Sequence, residues 1–240
     1  MANARFSDHT VLVAGGTGAL GSAISTAFAR EGAAVIATYR SPAELDRFKA
    51  ATAAAGVAIE AERVDVTDET AVRALIDNLV TRHSRIDALV NAVGGYVGGS
   101  KLWEMDPQGF ERMLSLNLRA AYVLSRMVVP VMLQAGHGCI INVAAKAAID
   151  PSPGAAAYAA SKAAVLAMMG SLAAELNGTG VRVNSILPSI IDTEANRRAM
   201  PKAASASHWV TPAEIASVIL FLCSAEAKAV HGAAIPVYGG

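Results

Sequence analysis

Short apolar runs alternate with longer stretches of helical character along the whole chain. The runs 10–14, 34–38, 58–64, 88–91, 139–143, 182–187 and 233–237 read as strands. Between them, 20–31, 42–55, 68–83, 107–134, 155–176 and 211–224 read as helices. Asp68 and Thr211, the latter followed by Pro212, suit the residue that opens a helix. The strands are continuously apolar rather than alternating, which implies burial on both faces, as in a parallel sheet covered by helices. The pattern predicts an α/β fold in one domain spanning 1–240, with a doubly wound parallel seven-stranded sheet. Segment 193–210 has weak periodicity and falls late in the chain, where a substrate lid is expected.

Composition narrows the function classes. Twenty basic residues balance twenty acidic ones, so nothing in the charge favours nucleic acid or an anionic membrane as partner. No uninterrupted apolar run reaches the roughly 18 residues of a membrane span, and the first ten residues are too polar for a signal peptide. A cytoplasmic protein acting on a small molecule is expected. Cys139 and Cys223 lie in apolar stretches and read as buried free thiols. The histidines are scattered without ligand spacing, so no metal is expected.

Two stretches carry chemistry. The first strand runs into Gly15-Gly16-Thr17-Gly18-Ala19-Leu20-Gly21 and then a helix. In that context Gly15 makes a tight turn, Gly18 lets backbone approach a pyrophosphate, and Gly21 lets helix pack on strand. A dinucleotide-binding, Rossmann-type site follows. The second strand ends Thr38-Tyr39-Arg40-Ser41, with Tyr39 where an acid would grip a free ribose 2′-hydroxyl. Arginine pairs well with a 2′-phosphate, so NADP(H) is favoured over NAD(H). Further on, Tyr158-Ala159-Ala160-Ser161-Lys162 places a phenol and an ammonium one helical turn apart. An ammonium close to a phenol favours the phenolate, so a lowered Tyr158 pKa and a proton-transfer role are expected.

Together these residues resemble the short-chain dehydrogenase/reductase family over almost the whole chain. By that resemblance Tyr158, Lys162 and Asn117 form the catalytic set, with Asn117 anchoring a relay to the lysine. The resemblance also assigns cofactor contacts. Asp65-Val66 matches an adenine-contacting pair, and Asn91-Ala92-Val93-Gly94 is similar to a sheet-stabilising motif beside the cofactor. Pro188 through Ile191 to Thr193 looks like the loop that holds the nicotinamide carboxamide, with Ser189 replacing a glycine. Homo-oligomers, dimer or tetramer, through the two long central helices are implied as well.

Two departures bear on substrate. The three-and-three glycine spacing is commoner in an extended branch of the family. The usual active-site serine is replaced: counting back thirteen residues from Tyr158 reaches Ala145, preceded by Ala144, and neither side chain donates a hydrogen bond. Ser152 is the one nearby hydroxyl considered as a substitute, while Ser161 reads as packing towards the cofactor. The segment from Ala144 through Lys146 to Gly154 resembles the serine-free stretch of dihydropteridine reductases. Tyr96 in its glycine-rich loop, Met200 and Trp209 follow the same subgroup. Ala145, Lys146, Tyr96, Met200 and Trp209 are therefore the substrate candidates, with a quinonoid dihydropterin as the implied hydride acceptor. Two other readings stay open: a carbonyl or 3-oxoacyl reductase, and a catalytically weak NADP(H)-binding sensor or scaffold.

Overall fold

A computed structural model describes residues 4–200 and 208–239. Seven strands, β1 (Thr10–Ala14), β2 (Ala34–Tyr39), β3 (Glu60–Arg63), β4 (Ala88–Asn91), β5 (Gly138–Val143), β6 (Val181–Pro188) and β7 (Ala234–Val237), form one sheet. Their order is β3-β2-β1-β4-β5-β6-β7, with every neighbouring pair parallel. Strand order reverses direction between β1 and β4, so a crevice opens at their C-terminal ends, where ligands bind in sheets of this kind.

Helices α1 (Ala19–Arg30), α2 (Pro42–Ala54), α3 (Glu69–His83), α4 (Pro107–Met113), α5 (Ala120–Ala135), α6 (Ala156–Glu175), α7 (Glu194–Ala199) and α8 (Pro212–Cys223) follow the strands. On one face Phe6, Ile24 and Phe28 pack with Ile215 and Ile219 of α8. On the other, Leu79, Leu124, Met132 and Met169 pack against Leu12, Leu89 and Ile140. Both Asp68 and Thr211 cap helices as their positions suggest. Asp68 accepts from the amides of Thr70 and Ala71, and Thr211 forms a reciprocal box with Glu214. Cys139 and Cys223 are buried free thiols.

Three features differ from the sequence pattern. The run 58–64 yields only the four residues of β3, an edge strand whose Glu60 and Glu62 pair with Arg82 of α3. Charges suit an edge, because they discourage pairing with another chain. The helix read over 107–134 is interrupted by a π-helical turn, Leu114–Arg119, between α4 and α5. The segment 193–210 contains helix α7, while residues 201–207 of that expected lid lie outside the described residues.

By length and composition alone, Pro107–Ala135 and Ala156–Glu175 are apolar enough to cross a membrane. Both instead run along the sheet, burying Leu124, Val128 and Met132 from one and Val165, Met169 and Ala173 from the other.

Candidate active site

The turn after β1 is built around Gly15, whose φ of 71° is the left-handed region that favours glycine. Its amide donates to Thr38 Oγ1 over 2.9 Å, fixing the turn against β2. A Cβ on Gly21 would fall 2.0 Å from the Gly15 carbonyl oxygen, and one on Gly16 2.6 Å from the Ala37 Cβ. These two glycines let α1 seat on the turn and the turn seat on β2. Gly18 is different: its nearest neighbour would be 3.4 Å away, because that position faces the crevice. Ser22 is the first amide to bond back, to Gly18 O at 2.7 Å. The amides of Ala19, Leu20 and Gly21 therefore remain at the helix start, as an anion-binding terminus requires. Leu20's side chain itself turns into the core.

The crevice beyond the turn has a volume of about 240 Å³. Gly15, Thr17 and Gly18 line it, with Tyr39, Arg40 and Ser41 from the end of β2, Asp65 and Val66 after β3, and Ala92, Val93 and Gly94 after β4. Beside the free amides at the start of α1, this cradle suits the adenine and phosphate end of a dinucleotide, and it collects most of the cofactor residues read from the sequence. Asp65 Oδ1 accepts from Thr67 Oγ1 (2.7 Å) and Thr67 N (2.9 Å). Those bonds hold its carboxyl below the usual carboxylate range, with Arg40 adding to the effect. Glu44, in the first turn of α2, and Leu116, in the π turn, also line the crevice. Neither is flagged by any motif, since only the fold brings them there. Asn91 differs from its expected cofactor contact: its Nδ2 donates to Asn142 Oδ1 over 2.9 Å and its Oδ1 accepts from Val93 N. Buried between β4 and β5, its side chain ties strands together.

Tyr158 and Lys162 lie on the first turns of α6. Lys162 is buried, and its Nζ donates to the Val143 carbonyl over 2.8 Å. Asn117 sits in the π turn, a local unwinding that recurs at functional sites. Its Oδ1 accepts from Gly95 N (3.0 Å), and its Nδ2 donates to Gly95 O (3.2 Å) and Ser161 Oγ (2.9 Å). Ser161 in turn donates to the Tyr158 carbonyl over 2.7 Å. That corrects the reading of Ser161 as packing towards the cofactor: it is fully buried and links Asn117 to the catalytic helix. Gly94 forms the floor, where a Cβ would lie 3.0 Å from both Asn117 Oδ1 and Lys162 Nζ.

The expected lowering of the Tyr158 pKa is not what this arrangement gives. Burial, with a contribution from the Tyr96 phenol, pushes Tyr158 up to about 12. Burial likewise brings Lys162 down to about 8. Lys162 directs its ammonium at the Val143 carbonyl, and removal from water favours the neutral form of both groups. Tyr158 therefore holds its proton more firmly than a free tyrosine does.

The family model described as enoyl-(acyl carrier protein) reductase matches residues 15–240. The chain belongs to the short-chain dehydrogenases/reductases. It is 32% identical to the 3-oxoacyl-[acyl-carrier-protein] reductase of Thermotoga maritima, with 98% of each chain covered. It is 31% identical to meso-2,3-butanediol dehydrogenase of Serratia marcescens, covering 98% of this chain and 95% of that one. A short-chain dehydrogenase/reductase structure from Burkholderia xenovorans superimposes with a TM-score of 0.92 at 34% identity, covering 98% and 97% of the two chains. The structure of NAD+-bound xylitol dehydrogenase does so with a TM-score of 0.89 at 26% identity, covering 98% and 99%.

Ala144 and Ala145 are both buried at the end of β5. Ser152 is exposed on the segment before α6. Lys146 pairs with Asp150 (3.2 Å) and lies 5.3 Å from the Tyr238 ring. Trp209 is only 9% exposed, which makes it a wall rather than an open contact. Met200 is partly buried at the end of the α7 segment. After Pro188, Asn196 Nδ2 donates to the Ile191 carbonyl (2.8 Å), and Thr193 Oγ1 caps α7 by accepting from Asn196 N (3.2 Å). Tyr96 is 63% exposed and meets Tyr158 edge to face, 5.0 Å between ring centroids.

Proposed function

We propose that the chain is an NADP(H)-preferring reductase of carbonyl compounds, in which Tyr158 gives a proton to the substrate oxygen. The supporting observation is the juxtaposition of a protonated Tyr158 and buried Lys162 with a glycine-floored dinucleotide cradle. When bound, the nicotinamide supplies the hydride. Gly15, Thr17, Gly18 and the amides of Ala19, Leu20 and Gly21 hold the pyrophosphate, while Asp65 and Val66 contact the adenine. Lys162 binds the nicotinamide ribose and Asn117 keeps the Gly94-Gly95 floor and α6 in register. Pro188, Ile191 and Thr193 frame the carboxamide.

Arg40 and Ser41 favour a 2′-phosphate, since no carboxylate ends β2. Glu44 in the same crevice works in the opposite direction, and the xylitol dehydrogenase of the same fold holds NAD+. The carbonyl reading follows the relatives, named for 3-oxoacyl and diol chemistry.

A second reading, reduction of a quinonoid dihydropterin, rests on Ala144 and Ala145. A conjugated, electron-poor acceptor depends less on a second hydrogen-bond donor than a simple ketone does. Parallel assays of NADPH and NADH oxidation with an acetoacetyl thioester, diacetyl, cyclopentanone and quinonoid dihydropterin separate the two. Turnover of the carbonyls supports the first reading, and turnover of the pterin alone supports the second. Tight NADPH binding with no turnover on this panel replaces both with a sensor or scaffold.

The protein is proposed to work in the cytoplasm as a homodimer or homotetramer. Ala160, Ala167, Gly170 and Ala174 form a small-residue face on α6, and α5 leaves Tyr122 and Leu133 exposed. Such faces suit close helix packing between identical subunits.

A further inference from the structure

Carbonyl reduction moves negative charge onto the substrate oxygen, and one missing donor to such an oxygen commonly costs about 10²–10³ in rate. Ala145 offers no donor, so the carbonyl reading requires another. Ser161 is buried and donates to the Tyr158 carbonyl, and Lys146 is paired with Asp150. Ser152 is exposed on its own segment, whereas Tyr96 packs against the Tyr158 ring itself.

Its placement is built rather than incidental. Tyr96 follows Gly95, whose amide and carbonyl are both held by Asn117. Its ring stands at 77° to that of Tyr158 with centroids 5.0 Å apart. Its phenol end lies over Gly98, where an added Cβ would fall 2.1 Å from Oη and 2.5 Å from Cζ. Any side chain at position 98 would therefore displace the hydroxyl. Gly99 N donates to Gly154 O over 2.9 Å, tying the Tyr96 loop to the segment that leads into α6. The ring thus bridges the β4 loop and Tyr158 while staying 63% exposed.

We propose that Tyr96 is a second catalytic hydrogen-bond donor, its phenol taking the place of the absent serine on the substrate oxygen. The inference rests on the carbonyl reading above. The hydride and its electron pair form the new C–H bond, and the carbonyl π pair moves onto oxygen. That oxygen takes its proton from Tyr158, while Tyr96 keeps its own proton throughout.

The test is Tyr96→Phe, which preserves the ring contact and removes only the hydroxyl. With NADPH and whichever of acetoacetyl thioester, diacetyl or cyclopentanone the wild type reduces, kcat should fall about 10²–10³-fold. KM, NADPH affinity and Tm should change little. Adding Ala145→Ser to Tyr96→Phe should restore at least about tenfold of the loss, because it returns a donor to the same oxygen. Gly98→Ala should lower kcat in the same direction. A kcat within about twofold of wild type for Tyr96→Phe overturns the role of Tyr96, as does a loss explained by weakened NADPH binding. Tyr158→Phe run alongside separates the levels. If it stays active, or if the wild type reduces none of the three carbonyls, the carbonyl reading itself fails. If it is inactive while Tyr96→Phe is not, only the Tyr96 assignment fails.

Discussion

Asn117 Nδ2 lies 2.9 Å from Ser161 Oγ, joining the π turn to the catalytic helix through a bond that neither α4 nor α5 alone could make. With its two bonds to Gly95, this one side chain holds the floor and α6 together. Asn117→Ala leaves the Gly95 amide and carbonyl without these partners, and a buried unsatisfied group costs about 1–3 kcal/mol. Thermal unfolding should show a Tm lowered by about 2–4 °C for each kcal/mol lost. Activity should drop at least about tenfold, as expected when a site is loosened by a fraction of an ångström. A wild-type Tm and kcat would remove Asn117 from the architecture described here.

The glycines of the turn separate folding from binding. Gly21→Ala drives a methyl to 2.0 Å from the Gly15 carbonyl oxygen, whereas Gly18→Ala meets nothing closer than 3.4 Å. Gly21→Ala should therefore destabilise the protein by about 1–3 kcal/mol or more, by overpacking. Gly18→Ala should keep a near-wild-type Tm and weaken NADPH binding, since its methyl occupies the cradle. Denaturant unfolding and NADPH titration together read both effects.

The proposed NADP(H) preference is tested at Arg40. Charge-assisted bonds of about 1.5–3 kcal/mol make Arg40→Ala weaken NADPH binding by about tenfold or more. NADH binding should stay nearly constant, because its ribose carries no phosphate. Glu44→Gln should move preference further towards NADPH. Equal losses for both cofactors would assign Arg40 a purely structural role.

Lys162 gives stability a pH signature. Its folded pKa of about 8 lies below the ordinary 10.5, so burial makes charging it unfavourable. Below about 8 both folded and unfolded lysine are protonated and the penalty is fully present. Between about 8 and 10.5 the unfolded chain binds more protons, so stability rises with pH. Relative to Lys162→Met, the wild type should gain stability across that window, on the order of 3 kcal/mol at most. Tyr158 acts oppositely only above its ordinary 10.0, where the unfolded phenol ionises first. Denaturant unfolding at several pH values, with no cofactor added, measures the difference between the two proteins. A flat difference would mean that Lys162 is solvated rather than buried.

Much of this site is legible in the chain because its signals are local. The left-handed Gly15, the cap at Thr211 and the spacing of Tyr158 and Lys162 each depend on a few consecutive residues. β1 and β4 begin and end where their apolar runs do. What the chain conceals is set by distant packing. Glu44 enters the crevice only once α2 lies beside β2, and Asn91 turns inward because Asn142 faces it on β5. The π turn leaves no mark in apolar spacing, yet it sets the position of Asn117. The Tyr158 pKa is raised rather than lowered because burial, set by distant packing, dominates it, while Lys162 one turn away gives its ammonium to the Val143 carbonyl on β5.

The proposed proton transfer from Tyr158 during hydride transfer is read out by single-turnover NADPH oxidation in wild type and Tyr158→Phe, with the best carbonyl substrate from the panel and NADPH affinity determined separately. Tyr158→Phe should bind NADPH as the wild type does and lose at least about 10²-fold in the hydride-transfer step. Hydride transfer at the wild-type rate in Tyr158→Phe would contradict that role for Tyr158.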